Sequence, residues 1–210
     1  AENGDNTFLF FDDFGGGSGG QGALNTSKWG ASSTGVDVYQ YALRLEDYSN
    51  NEGRIEHGPD QGMTTSDENI RRIIEFRIKN SLTYRGGLNL SGASGFGDPM
   101  EYACIFNVNG GNRFWCDGEN SSLGLVQADR WYIGRTDLYG DSKDKIRTRF
   151  YYGNDNADYR GLVWTSGEKT NDWAPPGQLC DKYKLRVWDG GGTSSYYFDW
   201  FFVRRWSETD

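Results

Sequence analysis

The chain has 210 residues, enough for one sizeable core and within the range of a single all-β domain. Its 30 acidic residues outnumber 22 basic ones, and the net charge of −8 opposes binding to phosphate backbones, which excludes nucleic acid as the expected partner. Tyrosine (13), phenylalanine (12), tryptophan (8) and glycine (30) favour pleated, half-buried surfaces over a helical bundle.

The first six residues, Ala-Glu-Asn-Gly-Asp-Asn, read as a flexible polar tail to a single domain over residues 1–210. They carry no basic-plus-apolar leader pattern, leaving either a processed chain or a domain of a longer protein. Strands are predicted at Phe8 to Phe11, Val36 to Glu46, Gly53 to His57, Ile70 to Lys79 and Glu101 to Val108. They continue at Asn112 to Cys116, Trp131 to Thr136, Lys145 to Tyr152, Gly161 to Thr165, Tyr183 to Trp188 and Tyr196 to Arg204. Gly-, Asn-, Asp- and Ser-rich clusters separate them. The Gly15 to Gly22 cluster lacks the Gly-Lys-Ser/Thr ending of a phosphate cradle. No apolar run approaches the roughly 18 residues that would cross a bilayer, so no membrane insertion is expected.

Alternation marks the buried faces. Ile74, Phe76 and Ile78 oppose Glu75, Arg77 and Lys79, and Ile146, Thr148, Phe150 and Tyr152 oppose Arg147, Arg149 and Tyr151. Both strands suit a sheet with one packed and one wet face. Tyr183 to Trp188 and the last strand are expected to be adjacent and antiparallel across the Gly-rich turn from Asp189 to Ser195.

The segment Cys104 to Cys116 reads as a β-hairpin. With a three-residue loop at Asn109-Gly110-Gly111, Val108 faces Asn112 and Cys104 falls opposite Cys116, placed for a cross-strand disulfide or as two thiols in neighbouring strands. Cys180 is then spare. A single histidine, His57, excludes a multi-histidine zinc site and reads as a surface strand-end residue. Asn154 to Asp158 reads as a solvated turn, since it lacks the register of an EF-hand loop. Asp199, a carboxylate inside an aromatic run, requires a partner, because an unpaired buried charge is costly.

Phe10-Phe11-Asp12-Asp13-Phe14, then a Gly-rich loop and Leu24-Asn25-Thr26-Ser27-Lys28-Trp29, resembles the opening of concanavalin A-like lectin/glucanase domains. The closing Phe198-Asp199-Trp200-Phe201-Phe202-Val203-Arg204 resembles that superfamily's final strand. Tyr41 to Leu45 and Ile74 to Ile78 extend the likeness over nearly the whole chain, with Asn25 departing from the usual Asp. The resemblance implies an all-β, two-sheet antiparallel β-sandwich of jelly-roll type, similar to uncharacterised surface-protein domains and to laminarinase/lichenase-type hydrolases. It also implies an extracellular or cell-surface location and a structural calcium at Asp199, completed by backbone near Phe8 to Phe10 and Tyr39 to Tyr41.

The hydrolases of this type need a Glu-x-Asp-x-x-Glu strand, which is absent; Glu46-Asp47 and Asp67-Glu68 are adjacent pairs whose side chains diverge. The related lyases need Arg-x-Glu-x-Arg, but Ile73 stands at its first position. Flat aromatic rings beside hydrogen-bonding side chains form sugar-binding faces. Candidates here are Trp115, Trp131, Trp164, Trp188 and Tyr151 with Arg147, Arg149 and Arg186. These features point to a non-catalytic carbohydrate-binding or lectin-like module with a polysaccharide or glycan partner. The alternatives are a self-associating structural or adhesive subunit of a surface assembly, and a glycan-active hydrolase or lyase with an unfamiliar catalytic arrangement.

Overall fold

The computed structural model describes residues 9–15, 21–22, 24–31, 35–47, 53–58, 71–80, 85–91, 101–106, 111–139, 145–153, 159–170, 182–188 and 194–206; at 21, 31, 47, 91, 101–106, 188 and 194 it describes backbone alone. The tail over 1–6, Cys180 and the 154–158 turn lie outside these residues. In chain order the strands are β1 (Phe10–Asp12), β2 (Gln21–Gly22), β3 (Gly30–Ala31), β4 (Val36–Tyr39), β5 (Ala42–Asp47) and β6 (Gly53–His57). They continue with β7 (Arg72–Asn80), β8 (Arg85–Ser91), β9 (Glu101–Phe106), β10 (Phe114–Cys116), β11 (Glu119–Asn120) and β12 (Trp131–Tyr139). The last are β13 (Lys145–Gly153), β14 (Tyr159–Thr165), β15 (Lys169–Thr170), β16 (Lys182–Trp188) and β17 (Ser194–Arg205).

They form two antiparallel sheets, as the sequence pattern and the resemblance lead one to expect. The larger runs β14-β13-β12-β7-β17-β5-β4-β2, with β1 on β17 and β15 on β13; the smaller runs β11-β10-β9-β8-β16-β6-β3. Alternate residues of both sheets meet in one core, including Leu43, Ile74, Phe76, Phe150 and Phe201 from the larger sheet and Ile55, Leu88, Phe114 and Leu185 from the smaller. Phe114 and Phe150 stack across the sheets with centroids 4.3 Å apart. Gly134 lies opposite Phe76 because a Cβ there would come within 2.3 Å of that ring.

The N-terminal signature acts as a clasp. Buried Asp12 accepts hydrogen bonds from the Phe14 amide at 2.9 Å and from Trp29 Nε1 at 2.6 Å, while Lys28 Nζ reaches the Phe11 carbonyl at 2.7 Å. Burial still pushes the Asp12 carboxyl above the usual carboxylate range, partly offset by those hydrogen bonds. Asn25 Oδ1 accepts from the Ser27 amide and hydroxyl, so the amide fills the turn-forming role that an Asp would have.

Five sequence readings need correction. The segment from Val36 to Glu46 is not one strand: Gln40 and Tyr41 adopt φ of 50° and 63° and form a two-residue hairpin turn between Tyr39 and Ala42. The strands Lys182–Trp188 and Ser194–Arg205 are not paired but belong to different sheets. The central strand β8 was missed because Arg-Gly-Gly-Leu-Asn-Leu-Ser is too glycine-rich to read as β. Both faces of β7 are buried, Glu75 and Arg77 included, so its expected wet face is covered. His57 is no surface residue: it is 7% exposed, its Nδ1 lies 2.8 Å from the Lys28 carbonyl oxygen, and its ring stacks on Tyr183.

Candidate functional site

Each sheet turns one face away from the core, and the side chains there are built differently. On the larger sheet the outward face is a network of ion pairs. Asp137, 1% exposed, uses both carboxylate oxygens: Oδ1 accepts from Arg135 Nε at 2.7 Å and Oδ2 lies 3.0 Å from Arg149 Nη1. Glu75, on the neighbouring strand opposite Arg135, lies 3.6 Å from Arg135 Nη1 and 3.8 Å from Arg204 Nη2. The Tyr159 hydroxyl donates to the same carboxylate. Burial pushes the Glu75 carboxyl above the usual range despite these partners, and burial beside that carboxylate holds the Tyr159 phenol well above its ordinary value.

Asp199 joins this face through a β-bulge. Phe198 pairs with Ile78 but Trp200 pairs with Arg77, leaving Asp199 as the extra residue. The bulge restores Phe201 and Val203 to the core and sets the Asp199 carboxylate against Arg77 Nη1 in a salt bridge. Arg77 in turn lies over the Trp131 ring, 4.2 Å from its centroid, with Lys79 at 5.1 Å. A guanidinium on β7 is thus a partner for Asp199; the described residues contain no group of three or more His, Cys, Asp or Glu side chains placed around one point.

The outward face of the smaller sheet is defined by register. One row runs Trp115, Ile105, Gly87, Arg186, Arg54 across β10, β9, β8, β16 and β6. The next runs Ala103, Asn89, Lys184, Glu56, and beside it lie positions Glu101, Ser91 and Lys182. Lys184 is fully buried and Asn89 is 2% exposed, so the middle of this face is a polar recess shielded from solvent. Trp115 and Arg186 stand three strand spacings or about 14 Å apart, with Ile105 and Gly87 at the two positions between them. The row thus has a half-buried indole at one position and a guanidinium three strands away. Lys182 Nζ lies 3.8 Å from Glu56 Oε1 at its edge.

The candidate residues read from the sequence divide between these places. Trp131, Tyr151, Arg147 and Arg149 lie on the outward face of the larger sheet, where Arg147 covers Tyr139 and Tyr151 meets Tyr159 edge-on. Trp115 and Arg186 lie on the smaller sheet's face, with Trp188 in register beside them and its side chain outside the described residues. Trp164 extends the core, stacked at 6.0 Å on Phe114 and 6.3 Å on Phe150. Cys104 and Cys116 are register partners, although the Cys104 side chain is outside the described set. Arg54, Glu56, Gly87 and Asn89 were not singled out from sequence; the charged alternation of Arg54 with Glu56 was the one available signal.

Comparison with protein-family models and with curated proteins finds no match. Solved structures with the same fold are found. One, from work on endo-acting O-glycanases of human gut microbiota that initiate mucin breakdown, is 12% identical, with a TM-score of 0.63 over 96% of this chain and 100% of that one. A β-1,3-glucanase from Mycobacterium marinum is 16% identical at a TM-score of 0.55, covering 93% and 98%. The Bacillus licheniformis β-glucanase is 13% identical at 0.57, covering 94% and 98%. The fold is the concanavalin A-like jelly roll of these β-glucanases.

Proposed function

We propose that this chain is a glycan-binding module of an extracellular or cell-surface protein, and that the outward face of its smaller sheet holds the sugar. The observation that carries the reading is the row Trp115, Ile105, Gly87, Arg186, Arg54 with Asn89 and Lys184 beside it. A flat ring can lie against a pyranose face while amide, ammonium and guanidinium groups take its hydroxyls. The fold shared with glucanases supports a carbohydrate ligand. Calorimetric titration of the folded protein against a polysaccharide panel tests it: saturable binding to at least one polymer is expected, and silence across the panel would end the reading.

A glycan-active hydrolase or transglycosylase is the second reading, favoured by neighbours that include a transglycosylase solved in complex with NAG. The described residues offer it little. Glu56 and position 101 are acids on the proposed face but are rooted three strands, about 14 Å, apart. Two-carboxylate glycosidases hold theirs about 5 to 9.5 Å apart. Glu75 and Asp137 share the other face, where they are buried among guanidinium groups. Release of reducing ends from the bound polymer would establish the enzyme reading, and intact polymer after prolonged incubation would remove it.

A further inference from the structure

Cys104 and Cys116 are direct register partners across β9 and β10, in a row that continues to the buried Leu88 on β8. In an antiparallel ladder, opposite residues alternate between pairs that exchange backbone hydrogen bonds and pairs that do not, the latter with Cα atoms only about 4.5 Å apart. The direction of the β10 backbone decides which kind this pair is. The Phe114 carbonyl accepts from the Ser121 amide at 2.9 Å, and the Phe114 amide donates to Ser121 Oγ at 3.0 Å. Both backbone groups of Phe114 therefore face the β11 side, away from β9. Two residues on, Cys116 repeats that direction, so Cys104 and Cys116 form a non-hydrogen-bonded pair, the closer of the two kinds. A separation of about 4.5 Å lies within the roughly 4.4–6.8 Å that a disulfide spans between Cα atoms.

We propose that this pair is a redox-closed staple, a disulfide between Cys104 and Cys116 that pins β10 to β9 under oxidising conditions. Cys116 is a fully buried thiol in the structure. On closure the two thiols lose two protons and two electrons as one S–S bond forms. A disulfide oxidant such as oxidised glutathione takes up both through a mixed disulfide, its own S–S bond breaking to give two thiols. β10 is where such a tie matters, because it has only three residues, with three register pairs to β9 and two to β11 next to the end of the smaller sheet. So short a strand opens more readily than the long central ones. It carries Trp115 on the outward face, and a bond at the adjacent core-facing residue holds that indole in its row. The staple stands apart from the glycan-binding reading and holds whether or not a sugar binds.

The test maps the cysteines of the purified full chain after long incubation with a mixture of oxidised and reduced glutathione. The protein is then unfolded in denaturant with an alkylating reagent and no reductant, digested, and its peptides weighed. The segments holding Cys104 and Cys116 are expected to be joined, with Cys180 alkylated. Reductant should lower the melting temperature of the oxidised protein by about 5 °C or more, a shift that persists in Cys180→Ala and vanishes in Cys104→Ala. Alkylation of all three cysteines, or a linkage through Cys180, overturns the proposal, and so does a melting temperature indifferent to reductant. Where Cys104→Ala does not fold, the peptide map and Cys180→Ala decide.

Discussion

The two outward faces of this sandwich use the same residue types to different ends. On the larger sheet, arginines and acids interlock: Asp137 holds Arg135 and Arg149, Glu75 faces Arg135 and Arg204, and Asp199 holds Arg77. On the smaller sheet, cations oppose cations across β6 and β16. The contrast teaches that a row of arginines is not itself a binding face. A network that spends its hydrogen bonds on itself serves stability, whereas a face that sets a flat ring beside polar groups can meet a sugar.

Asp137→Ala should have the largest effect. It takes the shared acid from the half-buried Arg135 and Arg149 and should cost about 1.5–3 kcal/mol in denaturant unfolding, the range for a hydrogen bond to a charged group. The same variant should bind glycan normally wherever it folds. A loss below about 1 kcal/mol would mean that the larger sheet's network is ornamental and the contrast unfounded. Arg77→Gln comes next: it removes the Asp199 partner and the cation over Trp131, and should lower stability by about 1–2 kcal/mol. An unchanged unfolding curve would count against Asp199 depending on that pair.

The pH dependence sharpens the picture at Glu75. Its carboxyl holds a proton to higher pH in the folded protein than in the unfolded chain, because burial outweighs the Tyr159 hydrogen bond and the Arg135 and Arg204 charges. Its favourable contribution is therefore complete below the ordinary glutamate range and declines as pH rises through the raised value. Glu75→Gln should flatten that part of the melting-temperature profile, and an unaltered slope would place the titration elsewhere. The smallest effect concerns calcium at Asp199. With Arg77 as its partner, chelation is expected to leave the melting temperature unchanged, whereas a drop of several degrees would support the metal that the family resemblance implies.

Much of the fold was legible because alternation and turn chemistry are local. Gly53–His57 was read to the residue, and the register of Cys104 against Cys116 followed from loop length alone. The opening and closing motifs were legible too, and their chemistry is visible in the Asp12–Trp29 hydrogen bond. What local pattern could not show was which strands become neighbours. β16 and β17 are consecutive yet lie in different sheets, so their charged faces point to opposite sides of the molecule. The aromatic and arginine candidates therefore looked like one set and proved to be two. The glycine-rich β8 hid for a local reason: Gly86 and Gly87 lack the side chains that give a strand its alternation, although Gly86 is where the Tyr196 ring comes close.

The central claim is that ligand binding belongs to the smaller sheet and stability to the larger. The most direct measurement compares Arg186→Gln with Lys79→Gln, a charge removal on the larger sheet's face beside Trp131 and Tyr197, in parallel titrations with whichever polysaccharide the unmodified protein binds best. The expected result is at least about a tenfold loss of affinity for Arg186→Gln and no loss for Lys79→Gln, a charged hydrogen bond being worth roughly 1.5–3 kcal/mol. Loss confined to Lys79→Gln would move the binding face to the other sheet and contradict the account.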